Sequence, residues 1–394
     1  MTLVGAMGIL MGLLAAYIAE FRSSRVRVAV FMMLFVLHTL ASAAYYIFAE
    51  AMGSDAQFYY YDPMGVYGNA TGLSTVFVIN MVQTMREYIG GTLFDHFMIF
   101  QAFGFWGMVF LVKTIQDIYE DIGAPQSSLI YLPLFLPGLH YWTSAVGKDS
   151  PLFLAITLTL WSLMRVNKRL IPLGIAILIM LLFRAHIAVI ILIAIALCSL
   201  FERRMHFWIK ALLMAGLLGG AVVTASSFQS SYQLDISNAD TVSNYLEGRT
   251  SIGEDSGADL SITNASLPGK VLTFWFRPFF FDAEDLFSYV VSMENLALMI
   301  MAGMLLVNFG TTRMLVQRVL YLRVSLVAMG AMTLLLSMVS FNLGLNVRQK
   351  TMLLPFLIVM FTALTAVLAV RRQAAEEAEQ RALRPAGSRP LRQG

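Results

Sequence analysis

The chain has 394 residues, 58% of them hydrophobic and 13% charged, with a formal net charge of +3. A water-soluble domain carries about 25% charged residues, so this composition excludes a chain folded around a single aqueous core and makes lipid its main solvent. One cysteine, Cys198, excludes a disulfide framework and any CxxC metal site.

The apolar runs are long and do not alternate, which predicts helices and not a transmembrane barrel. In chain order, spans are expected at 2–19, 28–49, 94–112, 127–146, 151–164, 170–183, 187–201, 207–227, 289–308, 319–341 and 351–370. That is an all-α polytopic bundle of roughly eleven transmembrane helices. Segments 151–164, 170–183 and 187–201 are short for a bilayer, which predicts short re-entrant or broken helices near the outer face. No Lys or Arg precedes the first apolar run, and Arg22, Arg25 and Arg27 follow it. This order predicts a first span with its N-terminus outside, not a cleavable signal peptide.

With that orientation the cytoplasmic segments carry Arg165, Lys168 and Arg169, then Arg203, Arg204 and Lys210, then Arg313 and Arg318, then Arg371 and Arg372. The series obeys the positive-inside rule, with a mild exception at 113–126, where Lys113 faces Asp117, Glu120 and Asp121. Residues 1–372 are expected to form one transmembrane domain with outer loops at 50–93 and 228–288, and 373–394 a charged cytoplasmic tail. The apolar stretch at 73–82 suits the interface. The aromatic run Phe274, Trp275, Phe276, Phe279, Phe280 and Phe281 suits a headgroup-level anchor.

There is no internal repeat, Walker motif, GxGxxG or HExxH, and no cluster has metal-ligand spacing; neither metal nor cofactor is expected. The informative feature is a set of basic residues on the outer face, against the positive-inside trend: Arg86, Lys148, Arg184, Arg249, Lys270, Arg277, Arg348 and Lys350. Arg184 lies in LLFRAHIAVI, with only Ala185 and His186 separating two apolar half-spans. Either it snorkels to the headgroups from a tight turn or it faces a cavity as an anion-binding arginine. An arginine fork donates two parallel hydrogen bonds to a phosphate. Arg184, Arg277 and Arg348 come from distant parts of the chain, and Lys148 adds a fourth cation. Together they suit a lipid-linked diphosphate, or in the plainer reading an anionic phospholipid. Lys350 and His140 join the candidates for substrate binding.

The candidates for proton transfer are Asp149, Asp55 and His186, with Arg184 as the cationic stabiliser. Each has a structural alternative. Asp149 or Ser150 can cap the helix that Pro151 opens. Asp55 can close a turn or cap a helix, and His186 can be a polar interface residue. Asp282, Glu284 and Asp285 follow Arg277-Pro278, and simple salt bridging to Arg277 is their default role.

The stretch HYWTSAVGKDSPLF, followed after one span by FRAHIAVI, resembles bacterial membrane proteins of polysaccharide gene clusters, the EpsG-like and Wzy-like exopolysaccharide or O-antigen polymerases. GSDAQFYY is similar to the acidic, tyrosine-bearing first outer loop of the EpsG-like group, and LGLNVRQKTMLLP to the Arg-bearing end of the last outer loop. The similarity consists of scattered short motifs between about residues 53 and 355. It implies a glycosyltransferase in the bacterial inner membrane that polymerises undecaprenyl-diphosphate-linked repeat units on the outer leaflet. Its partners would be a lipid-linked glycan donor and acceptor, membrane lipids and other polysaccharide assembly proteins, with no nucleic acid. Loop 228–288 contains no histidine, which departs from the ligase branch of the superfamily.

The chemistry is coherent without the family. A diphosphate leaving group gains negative charge, which preorganised cations stabilise, and the acceptor hydroxyl needs a base. Two rival readings are a transporter or flippase of the lipid-linked oligosaccharide and a non-catalytic subunit of an assembly complex. No charged series along matched spans favours the transporter.

Overall fold

The computed structural model describes residues 2–20, 25–202, 205–232, 265–339 and 342–383, and among these the regular structure is entirely helical. Among the described residues, seven helices are long and apolar enough to cross a membrane: Val28–Met52, Leu93–Ile122, Leu170–Leu200, Phe207–Ser226, Leu286–Val307, Leu320–Val339 and Leu354–Ala382. Leu3–Leu14 and Asp149–Met164 are shorter apolar helices. The chain is therefore a multi-pass helical membrane protein. Among the described residues helix length alone gives seven spans where eleven were expected: 2–19 and 151–164 form the two shorter apolar helices, 170–183 and 187–201 are the two parts of one interrupted helix, and 127–146 is not a single α-helix.

Helix α1 (Leu3–Glu20) is followed by α2 (Arg25–Met52), the short α3 (Asp55–Tyr61) and α4 (Thr75–Tyr88). The stretch expected at the interface, 73–82, forms the first half of α4, which buries Val78, Ile79 and Val82. Helix α5 (Leu93–Ile122) starts from a reciprocal cap in which the Thr92 hydroxyl accepts from Asp95 N and Asp95 accepts from Thr92 N. Thr2 N also donates to Asp95 Oδ1 at 2.9 Å, which places the starts of α1 and α5 side by side.

The expected span at 127–146 is not one α-helix. It is a 3₁₀ segment, Ser128–Phe135, that contains Pro133, followed by α6 (Pro137–Thr143). Proline has no N–H to donate and clashes with the preceding turn of an α-helix, so the tighter 3₁₀ geometry takes over. Helix α7 (Asp149–Met164) then runs alongside α5 in the same direction. Gly107 faces Phe153, where an added Cβ would lie 2.6 Å from Cδ1, and farther along Arg165 Nη2 pairs with Asp121 Oδ1 at 2.6 Å.

Helix α8 (Leu170–Leu200) is interrupted at Arg184, whose φ −149° and ψ 77° are not helical. A straight helix would separate Arg169 from Glu202 by about 50 Å at 1.5 Å per residue. Instead both ends lie at the same level. Arg169 pairs with Asp117, and Glu202 with Arg323 at 2.8 Å; Tyr321 lies beside Asp121 and Arg165. An added Cβ at Gly220 would lie 3.5 Å from both Leu181 and Leu192. The two halves of α8 thus fold back on one another with Arg184 at the apex, in keeping with the separate spans expected at 170–183 and 187–201.

The rest of the bundle comprises α9 (Phe207–Tyr232), α10 (Leu267–Phe276), α11 (Leu286–Val307), α12 (Phe309–Arg318), α13 (Leu320–Val339), α14 (Leu343–Lys350) and α15 (Leu354–Leu383). The tail expected from Gln373 continues α15 to Leu383. Phe274 and Trp275, expected as part of an interfacial anchor, pack in the core at 0% and 9% exposure, whereas Phe281 is 85% exposed. Arg249 and most of the expected 228–288 loop, together with Arg22, Arg203 and Arg204, lie outside the described residues.

Two faces result. One carries Arg165, Lys168 and Arg169, Glu202, Arg323 and the α12–α15 contact between Thr311 and Arg371. The other carries the starts of α1, α5 and α7 and the short helices α3, α4 and α14. Helix α7 separates them by about 24 Å, close to the thickness of a hydrocarbon core.

Gly104 is the tightest helix contact, because an added Cβ would overlap the Thr143 carbonyl oxygen and crowd His38. Gly104→Ala is expected to cost about 1–3 kcal/mol in thermal or denaturant unfolding in detergent. The two faces also predict opposite labelling. With Cys198 replaced by Ser, a cysteine at Gln57 and one at Arg318 are expected to react with an impermeant thiol reagent from opposite sides of the membrane. Reaction of both from one side would contradict the fold.

Candidate functional site

Three stretches of the chain meet at one carboxylate, and a fourth joins them through Arg348. Helix α7 descends from Asp149 to Met164, the 165–169 turn reverses the chain, and the first half of α8 climbs back to Arg184. An antiparallel pair of nearly equal arms returns its second end beside its first. Arg184 Nη2 donates to Asp149 Oδ1 at 2.8 Å. The other oxygen, Asp149 Oδ2, accepts from Arg348 Nε at 2.6 Å, and Arg348 Nη1 donates to Asp55 Oδ2 at 2.5 Å. Arg348 is presented by α14, whose start is capped by the Asn342 side chain accepting from Leu345 N at 2.6 Å.

The turn before α7 sets this geometry. Gly147 has φ +151°, a left-side conformation that suits glycine, and an added Cβ there would lie 3.2 Å from the Tyr59 ring. The N-cap position of α7 belongs to Lys148, and Asp149 is the first helical residue. Neither Asp149 nor Ser150 is the cap; Ser150 donates to Ala145 O at 3.0 Å. Asp149 thus gains from the helix dipole as well as from its arginines. Lys148 points to the start of α4, where Nζ donates to Ser74 Oγ at 3.1 Å and Thr75 Oγ1 at 2.6 Å. Ser74 N in turn donates to the carbonyl of Leu182 at 2.8 Å, beside the α8 break. Burial, and then the nearby Arg184, push the Lys148 ammonium down to about 8.

Arg184 is 15% exposed and its Nε is buried without a hydrogen-bond partner among the described residues, so the plain snorkelling role does not describe it. Asp55 occupies the first turn of α3 and its side chain is 52% exposed. Aromatic side chains line the same region. The Arg348 guanidinium lies 5.9 Å from the Trp142 ring, which meets Tyr45 at 5.6 Å and Tyr141 at 5.2 Å.

The remaining expected residues have surroundings of their own. Arg277 makes a two-pronged pair with Asp282, Nε to Oδ2 at 3.0 Å and Nη2 to Oδ1 at 3.1 Å, as the default reading of that acidic segment expected. Lys350 is fully buried, so contact with a ligand at the surface does not fit it. Its ammonium donates to Trp275 O at 3.3 Å and to Asn295 Oδ1, beside Glu294. His140 is also fully buried, with Nδ1 3.1 Å from His38 Nδ1 and Nε2 2.8 Å from Leu134 O. Both residues hold elements together. His186 is exposed just past the apex of α8.

Sequence reasoning assigned no role to Tyr45, Tyr59, Trp142, Ser74 or Thr75. It also passed over Glu294 and Asn295, although a carboxylate and an amide inside SYVVSMENLALMIM are an intramembrane polar signal. Among the described residues no group of three metal-ligating side chains occurs.

The cluster defines a class of site: three cations, Lys148, Arg184 and Arg348, against two carboxylates, on one face of a helical membrane bundle and beside aromatic rings. No family model, curated protein or solved structure matches this chain.

Asp149→Ala is expected to destabilise the protein by about 3–5 kcal/mol in detergent unfolding, because it leaves two largely buried guanidinium groups without their shared partner. Anion affinity at this face is expected to fall between pH 7 and pH 9 as Lys148 gives up its proton near 8. In Lys148→Arg, which stays charged, titration with sulfate, whose own charge is constant over this interval, is expected to show a flat profile.

Proposed function

We propose that the protein is a membrane glycosyltransferase that polymerises lipid-diphosphate-linked oligosaccharide units, with its active site at the Asp149 cluster. The observation that carries this reading is the convergence of Arg184, Arg348 and Lys148 on the face that holds Asp55 and the Tyr45–Tyr141–Trp142 rings. We assign that face to the outside of a bacterial inner membrane, with the C-terminus in the cytoplasm, because the opposite face gathers Arg165, Lys168, Arg169, Lys210, Arg313, Arg318, Arg371 and Arg372. The scattered similarity to the EpsG-like and Wzy-like polymerases supports the same assignment.

In the proposed reaction an acceptor sugar hydroxyl attacks the anomeric carbon of the donor glycan. The new glycosidic C–O bond forms as the bond from that carbon to the diphosphate oxygen breaks, and the electron pair leaves on the lipid diphosphate. Arg184, Arg348 and Lys148 stabilise the charge that develops there. The hydroxyl proton goes to a carboxylate, and the two available ones differ. Asp149 has both oxygens engaged by guanidinium groups, which makes it a positioning residue and a poor proton acceptor. Asp55 is half-exposed and is the base in this proposal. The aromatic rings suit the apolar faces of sugars. Arg277 pairs with Asp282 through both prongs of its fork and is assigned no direct contact with the diphosphate.

Arg184→Lys and Arg348→Lys are each expected to lower transfer about a hundredfold or more, since Lys keeps the charge and loses the planar fork. Asp55→Asn is expected to abolish transfer at normal protein level. Arg165→Ala, in an exposed pair on the opposite face, is expected to leave it unchanged. The readout is surface-glycan length in cells carrying each variant. Deletion of the gene is expected to remove long chains and to leave single lipid-linked units on the outer leaflet. Units trapped on the cytoplasmic leaflet would point instead to a flippase, and unaltered glycan would remove both readings.

A further inference from the structure

The Arg348 guanidinium is held by two carboxylates that differ in how readily each can leave. Asp149 is 7% exposed and accepts from two arginines, so its release would strand a carboxylate and a second cation in protein. Asp55 is 52% exposed, and water can solvate its carboxylate as soon as it lets go. The backbone of α3 has no need to move with it, because the helix is fixed through Ala56, Tyr59 and Tyr60, which are buried, and only the first-turn side chain has to rotate. Two further donors belong to the same cluster: Arg184 Nε, buried and without a hydrogen-bond partner among the described residues, and the Lys148 ammonium, whose hydrogen bonds go to the Ser74 and Thr75 hydroxyls.

We propose that Arg348, with Arg184 and Lys148, forms a binding site for a phosphate-bearing anion that Asp55 occupies in the unliganded protein, and that the anion enters by displacing Asp55 while Asp149 stays in place. The choice of a diphosphate as the natural ligand rests on the glycosyltransferase reading; the exchange itself does not. Binding breaks no covalent bond. It replaces one carboxylate on Arg348 by a phosphate oxygen and frees the Asp55 carboxylate next to the newly bound group. A proton acceptor at the site is therefore released only after the anion has arrived, which orders the donor before deprotonation of the acceptor.

The test is binding of inorganic pyrophosphate to the full-length protein in detergent at pH 7 and low salt, by calorimetry. Asp55→Asn is expected to tighten binding roughly three- to fivefold, the range set by removing one half-exposed ion pair. Arg348→Ala is expected to abolish it. Glu87→Gln supplies a control, since it removes a negative charge from an exposed residue of α4 that is hydrogen-bonded to Tyr67. Its affinity is expected to match that of the unsubstituted protein. Equal or weaker binding by Asp55→Asn, equal tightening by Glu87→Gln, or no binding to any of them would overturn the exchange. If Asp55→Asn binds more tightly while deletion of the gene leaves surface glycan intact, the anion site stands and the glycosyltransferase reading falls.

Discussion

Asp149 is the interaction on which the rest of the site depends. Its two oxygens connect α7 to the apex of α8 and to α14, and through Arg348 to α3. Those pieces are up to 293 residues apart in the chain. In a bundle surrounded by lipid, helix faces gain little by clustering apolar side chains, because the tails are as apolar as leucine. Close packing and buried polar contacts must fix the arrangement. A carboxylate shared by two guanidinium groups does so with directional, charge-assisted bonds. The cost is that removal of one partner leaves the others with charge they cannot hand to water.

A second buried polar cluster performs the corresponding task one layer deeper. The Lys350 ammonium reaches Trp275 O and Asn295, Asn295 donates to Pro278 O at 2.9 Å, and Glu294 accepts from Gly138 N at 2.5 Å. The helix that presents Arg348 is thereby tied to α10, α11 and α6. The same α6 carries Trp142 and the buried His140. Site and scaffold are in this sense continuous: the residue two places after a candidate ligand contact is buried against Trp275 and Asn295 and helps to hold that contact's helix.

Much of this was legible in the sequence, for reasons that differ by feature. The long apolar runs at 28–49, 94–112, 207–227, 289–308 and 351–370 had no alternative to helix, and they are helices. The break at Arg184 was legible because a charge at the midplane of a thirty-residue apolar run has to be explained. The 127–146 segment was misjudged as an α-helix because composition records hydrophobicity, whereas Pro133 decides the backbone. Lys350 and His140 were read as ligand contacts from their position near the outer boundary. Boundary position cannot separate a charge facing a cavity from one buried against Asn295 or His38. Pairings such as Asp55 with Arg348 were invisible for the same reason: nothing local in either stretch specifies the other.

The 3₁₀ and α6 segment between α5 and α7 has a consequence for how the protein is made. An α-helix satisfies its own backbone and can enter a bilayer alone. A segment built from eight 3₁₀ residues, an internal proline and a seven-residue helix cannot do so as fully. Its polar groups rely on other parts of the chain: Tyr131 on Gln116, His140 on His38, and the Gly138 amide on Glu294, which is 156 residues farther along. This stretch can reach its final state only after α11 has been synthesised, so the insertion machinery must hold an incompletely satisfied segment in the meantime.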